Sequence, residues 1–201
     1  MNDGAADTPT RSYRMAARAE AAQATASRVL DEAVELFSDH SYEDVSLDEV
    51  ASRAGVTKRT VLRRFGSKDE LFVTAMQRAV TEMMHGLDEA PVGDVAGAVA
   101  NVMDHYERWG RNRLRLLAQE DRIAVVADNV AGGRLYHRSW VERTFEPLIR
   151  GRRGAARKRR VATLMWLTDV TTWKLLRQDL ELSRADVERV IVEQIQHLEG
   201  A

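Results

Sequence analysis

Cysteine is absent from all 201 residues, which excludes disulfides, thiol nucleophiles and thiolate metal sites. Proline occurs only at Pro9, Pro91 and Pro147, so helix breakers are few. No stretch approaches the roughly 20 apolar residues that a membrane span needs, and the polar N-terminus lacks the apolar core of a signal peptide. The expectation is a cytoplasmic protein without a membrane partner. A strong charge of either sign is missing too: 30 Lys and Arg face 31 Asp and Glu, for a formal net charge of −1. Such a chain does not coat nucleic acid uniformly, so any anion site has to be local. Phosphate-cradling and nucleophile motifs are also missing, with no G-x-G-x-x-G, P-loop or G-x-S-x-G. Of the five histidines (His40, His85, His105, His137 and His197), only His85 falls in a Glu-x-x-His pair, with Glu82. A di-iron bundle needs two such pairs. The sequence therefore points away from an enzyme, a cofactor and a metal.

What is present is helical periodicity. In "SRVLDEAVELF", Val29, Leu30, Ala33, Leu36 and Phe37 recur at the spacing of one helix face. Ser46 followed by Glu49, and Ser67 followed by Glu70, are capping-box patterns, and Gly55 suits a helix end. A third helix starts at Thr57. Beyond Pro91, amphipathic segments are expected near 93–117, 121–150, 155–178 and 183–198. The fold class is all-α. Residues 1–18 are expected to be a disordered or frayed basic arm carrying Arg11, Arg14 and Arg18, and the arm is expected to merge into the first helix.

One window breaks the charge balance. "GVTKRTVLRRFGSK", residues 55–68, holds Lys58, Arg59, Arg63, Arg64 and Lys68 and no acid. On a wheel of about 100° per residue, Val61 and Phe65 fall together, with Val56 close enough to join a core. Arg59, Thr60 and Arg63 fall opposite, flanked by Lys58, Leu62 and Arg64. Two short helices joined by a Gly-containing turn, the second exposing cations, form a helix-turn-helix at about 46–65. Its second helix fits a major groove, where Arg bonds guanine bidentately. Helix starts at Ser46, Thr57 and Ser67 can meet phosphates, as can Lys68 as a point charge.

Residues 23–83 resemble the DNA-binding domain of the tetracycline-repressor (TetR) family, through "RVLDEAVELF", "VSLDEVASRAGVTKRTVLRRF" and "SKDELF". The resemblance implies phosphate contacts at Ser46, Thr57, Thr60 and Lys68, and groove-facing positions at Lys58, Arg59, Thr60 and Arg63, with Arg64 adding charge. Leu62 departs from the family, which often has an aromatic residue there. It further implies that residues 85–201 form a helical effector-binding and dimerisation domain, whose last two helices resemble the family's dimer interface. Val187, Val190, Ile191, Gln194 and Leu198 give the last helix one stripe, for the interface or for intrachain packing. Met103, Tyr106, Trp109, Trp140, Phe145, Met165, Trp166 and Trp173 are the candidate lining of an adaptable apolar pocket, with ordinary core as the competing reading for each. A second basic run, "RGRRGAARKRR" at 150–160, is expected to be a solvated interhelical loop.

The implied function is a regulator, most simply a repressor, that binds a near-palindromic operator as a homodimer and is released by a mostly apolar small molecule. The alternatives are an activator or architectural DNA binder without effector release, or an all-helical enzyme or interaction module.

Overall fold

The computed structural model describes residues 11–198, and every regular element among them is helical. The chain divides between Ala75 and Met76 into two units, ahead of the 83/85 boundary that the family resemblance implies. The division falls inside a continuous helix.

The first unit contains α1 (Arg11–Asp39), α2 (Leu47–Arg53), α3 (Lys58–Phe65) and the start of α4 (Lys68–Asp88). Residues 11–18 belong to α1, which corrects the expectation of a disordered arm over that stretch; the side chains of Arg11 and Arg14, and residues 1–10, lie outside those described. Alanine-rich sequence with no glycine or proline favours this continuation. The core of the unit is Val29, Ala33, Leu36 and Phe37 of α1, packed with Val50, Val61, Leu71 and Phe72. Phe37 meets Phe72 edge-on at 5.0 Å between ring centres, and Tyr42 stacks on Phe37 at 5.8 Å. Arg53 bonds Glu32 at 2.7 Å and Glu35 at 2.5 Å, tying α2 to α1.

The second unit has α5 (Val95–Leu117) packed against α6 (Ala124–Thr144), α9 (Val170–Trp173) and α10 (Arg184–His197). Short α7 (Glu146–Ile149) and α8 (Gly154–Leu167) complete it, and a π-helical turn, Lys174–Asp179, runs on from α9. Two expected long helices are therefore each broken. The 121–150 segment interrupts at Phe145, before Pro147, and the 155–178 segment interrupts at Thr168. There Asp169 caps α9 by accepting the Thr171 N–H at 2.8 Å, and the Thr168 carbonyl accepts the Tyr106 hydroxyl at 3.0 Å. Apolar spacing continues across both breaks, so periodicity alone does not reveal them.

The basic run is also corrected. Only residues 150–153 precede α8, and 154–160 are helical. Arg160 is buried and donates to the Leu198 carbonyl at 2.5 Å, closing the exposed carbonyl end of α10. Arg157 pairs with Glu142 at 3.2 Å, and Arg150 pairs with Glu146 at 2.7 Å. These arginines are partly structural.

Candidate nucleic-acid interface

Local sequence builds the α2–α3 pair. Ser46 Oγ accepts the Glu49 N–H at 3.1 Å, Thr57 Oγ1 accepts the Thr60 N–H at 3.2 Å, and Ser67 Oγ accepts the Glu70 N–H at 3.1 Å. All three expected caps are formed, each relieving one orphan donor of a helix start. A hydroxyl that accepts from the backbone keeps its own proton, so Ser46 can still donate to a phosphate, whereas the Ser67 hydroxyl already donates to the Glu70 carboxylate at 3.4 Å. Gly55, at φ +67°, turns the chain between α2 and α3 in a conformation side chains disfavour. Val61 alone on α3 is fully buried; Val56 and Phe65 are half-buried. That single anchor leaves the opposite face of α3 outward.

The five cations of the window are not equivalent. Lys58 Nζ pairs with Asp48 of α2 at 2.8 Å. Arg64 donates to Gln23 of α1 at 3.3 Å. Lys68 lies 4.4 Å above the Tyr42 ring and donates to the Glu43 carbonyl at 3.3 Å. Burial pushes its pKa below the ordinary lysine value, against the opposing pull of Asp69, Asp44 and Glu43. Thr60 is half-buried and its hydroxyl lies 3.0 Å from that of Thr57. Arg59 and Arg63 are exposed and have no hydrogen-bond or ion-pair partner among the described residues. They are four positions apart on α3 and so project side by side. Leu62 stands beside them, 38% exposed. Sequence reasoning missed Gln23 and Tyr42, which hold Arg64 and Lys68; neither has a local signal, because both act across the tertiary fold.

Residues 29–75 match the family model of bacterial regulatory proteins, tetR family. This N-terminal region is of the TetR type. A transcriptional activator of Mycolicibacterium smegmatis, FasR, is 38% identical over 63 residues, covering 31% of this chain and 29% of that protein. A transcriptional repressor of Streptomyces coelicolor is 26% identical over 84 residues, covering 42% and 43%. These matches span less than half the length of either relative. Among solved structures, a transcriptional regulator of Rhodococcus sp. Rha1 superposes with TM-score 0.64 at 20% identity, covering 86% of this chain and 94% of that one. A tetR-family regulator of Streptomyces coelicolor gives 0.65 at 23%, covering 86% and 81%. The N-terminal likeness is one of sequence; over the rest the likeness is one of fold.

Among the described residues, most of the eight candidate pocket residues lie in the core. Met103, Tyr106, Trp140, Phe145 and Trp173 are buried and fill the core, with Met165 half-buried against it. Trp166 is 65% exposed on α8. Large apolar residues at helical spacing signal burial, and a well-packed core leaves no vacancy. Trp109 borders a cleft of about 500 Å³ between the end of α4 and one face of α5. Asn101, Asp104, His105 and Arg108 share that α5 face, at offsets of three, four and seven. Of these, His105 stands out in the sequence because it precedes Tyr106 on a helix expected to border a cavity; Asn101, Asp104 and Arg108 were missed, although their recurrence as a second, polar stripe was present in the sequence. Burial drives His105 down to about 4, with Arg113 and His137 adding repulsion. Glu82 and His85 lie outside the described side chains.

Proposed function

We propose that this protein is a TetR-family transcription regulator that binds a near-palindromic operator as a homodimer and loses it on binding a small molecule. The observation that carries DNA recognition is the pair Arg59 and Arg63, free and side by side on a capped helix whose other cations are held. Two arginines so placed can read guanine edges, while Ser46, Thr57, Thr60 and Lys68 meet the backbone. Lys58 and Arg64 join once the duplex competes for them against Asp48 and Gln23. Function in the cytoplasm, where the DNA is, accompanies this reading. No described helix is long and apolar enough to cross a membrane.

Dimerisation through α8 and α10 is supported by their outward residues. Val187, Ile191 and Ile195 pack within the chain, whereas Val190 on α10 and Trp166 on α8 remain exposed. Repression is favoured over activation as the simpler use of an operator, though relatives include one named an activator and one named a repressor. Selection of duplexes from a random pool by the purified protein tests the reading. Two inverted half-sites about one helical turn apart are expected; enrichment of one asymmetric half-site by a monomer would overturn it.

The arm also takes part in this proposal. Arg18 is exposed on the projecting start of α1, in reach of sequence-independent backbone contact. Deleting residues 1–18 should weaken binding at low salt and shallow its salt dependence; unchanged affinity would remove the arm from the interface.

A further inference from the structure

Leu62 is the exposed apolar side chain of α3, a helix whose other outward residues are cationic or carry a hydroxyl. With Val61 pointing inward and about 100° per residue, Arg59 and Arg63 fall opposite it. Leu62 then lies to one side of that pair and Thr60 to the other. The outer surface of α3 therefore runs Leu62, Arg59, Arg63, Thr60. The place of Leu62 is well held. Its neighbour Val61 is 1% exposed and anchors the helix, and the Leu62 carbonyl accepts the Gly66 N–H at 2.8 Å. The residues four positions away leave it uncovered, because Lys58 reaches to Asp48 at 2.8 Å and Gly66 has no side chain.

A lone leucine on a protein surface ordinarily needs no explanation. Leu62 differs in its place, three positions from Arg59 on the proposed reading face, so both side chains meet whatever that face meets. In the major groove the base edges present polar donors and acceptors, and the one apolar group is the thymine C5-methyl. An aliphatic side chain gains there by removing the methyl and itself from water. Against an amino group or a carbonyl it would instead leave that group desolvated without a hydrogen bond. The helix rise places Leu62 about 4.5 Å beyond Arg59 along the axis, against a base step of about 3.4 Å.

From this arrangement we infer that Leu62 is a specificity-determining residue, packing on the C5-methyl of a thymine one or two base steps from the guanine that Arg59 reads. The inference rests on α3 as the groove helix and adds the identity of one further base in each half-site. An uncharged contact displaces no counterions from the duplex. Its contribution is therefore the same at every salt concentration, unlike that of Lys68 on a phosphate.

Replacing each thymine of the selected duplex in turn by 2′-deoxyuridine removes the methyl, leaves every hydrogen-bonding atom in place and requires no change in the protein. One thymine per half-site, one or two steps from the base whose preference Arg59→Ala relaxes, should respond. Affinity for the full chain should fall roughly fourfold there, the worth of one buried methyl group at about 0.8 kcal/mol, with the salt slope unchanged. Leu62→Ala should bind the thymine and deoxyuridine duplexes equally. Should that variant bind neither duplex, Leu62→Gln serves for the same comparison. Indifference of the full chain to every replacement, or a deoxyuridine effect of the same size in the Leu62 variant, would overturn the inference; the selected duplex would still bind, leaving α3 as the reading helix. Failure to enrich any duplex would instead overturn the reading itself, and the inference with it.

Discussion

At the scale of residues, the free guanidinium groups of Arg59 and Arg63 separate specificity from affinity. Arg59→Ala and Arg63→Ala should each cost roughly 1–3 kcal/mol of specific binding and relax preference at one base position. Lys68→Ala should weaken all sequences about equally and reduce the salt slope by about one contact. Competition binding against a selected and a scrambled duplex at several salt concentrations measures both effects. Retained sequence preference in both arginine variants would show that the reading face lies elsewhere. His105 allows a prediction in pH. Its pKa falls from 6.5 to about 4 in the folded chain, so between those values the unfolded chain takes up a proton that the native state refuses. Stability is therefore complete above pH 6.5 and declines on acidification toward 4, by about 1.4 kcal/mol per pH unit. His137, also lowered by burial, acts in the same direction. Urea denaturation at pH 7.5 and 5.0 should show a smaller loss in His105→Gln, which cannot protonate; an equal loss would mean that His105 is not the titrating group.

Among the elements, the three N-caps and the turn at Gly55 were legible in the sequence because capping is local: a hydroxyl and an N–H three residues away suffice. The breaks at Phe145 and Thr168 were not, since the interruption depends on partners such as Tyr106 that are remote in sequence. Thr57→Ala removes the cap of α3 and should cost about 1 kcal/mol of stability, together with a loss of DNA affinity because the reading helix starts there. Thermal unfolding and duplex binding of the variant check both. Packing between elements is equally specific at Gly110, where an added Cβ would lie 2.6 Å from the Trp173 ring. Gly110→Ala should destabilise by roughly 1–3 kcal/mol by overpacking α5 against α9, seen as a lower denaturation midpoint. An unchanged midpoint would mean that the indole moves freely.

For the whole molecule, regulation is a statement about linkage. If ligand weakens operator binding by some factor, operator weakens ligand binding by the same factor. Titrating a small molecule found to bind the chain by thermal-shift screening, with and without the selected duplex, checks this reciprocity, and equal affinities would rule out release by that molecule. On the proposed reading, the ligand favours a dimer geometry whose reading helices no longer match successive grooves, since a ligand indifferent to the two states shifts nothing. The helix α4, continuous from Lys68 to Asp88, would be the covalent route for that change.

The sequence by itself determined the all-helical class, the helix-turn-helix with its caps, the TetR-type character of the N-terminal region, and Arg59 and Arg63 as outward residues on α3. Each of these depends on spacing within a few residues, which a linear chain records directly. Tertiary structure decided which cations are free and which are held, that the tryptophans of α6 and α9 are core, that part of the second basic run is structural, and where a cleft opens. Those outcomes depend on contacts between residues far apart in the chain: Arg64 with Gln23, Lys68 with Tyr42, Arg160 with the end of α10, Asn101 with Gly86. A charge or an aromatic ring looks the same in the sequence whether it will face water, a neighbour or a vacancy, and only the packed chain distinguishes them.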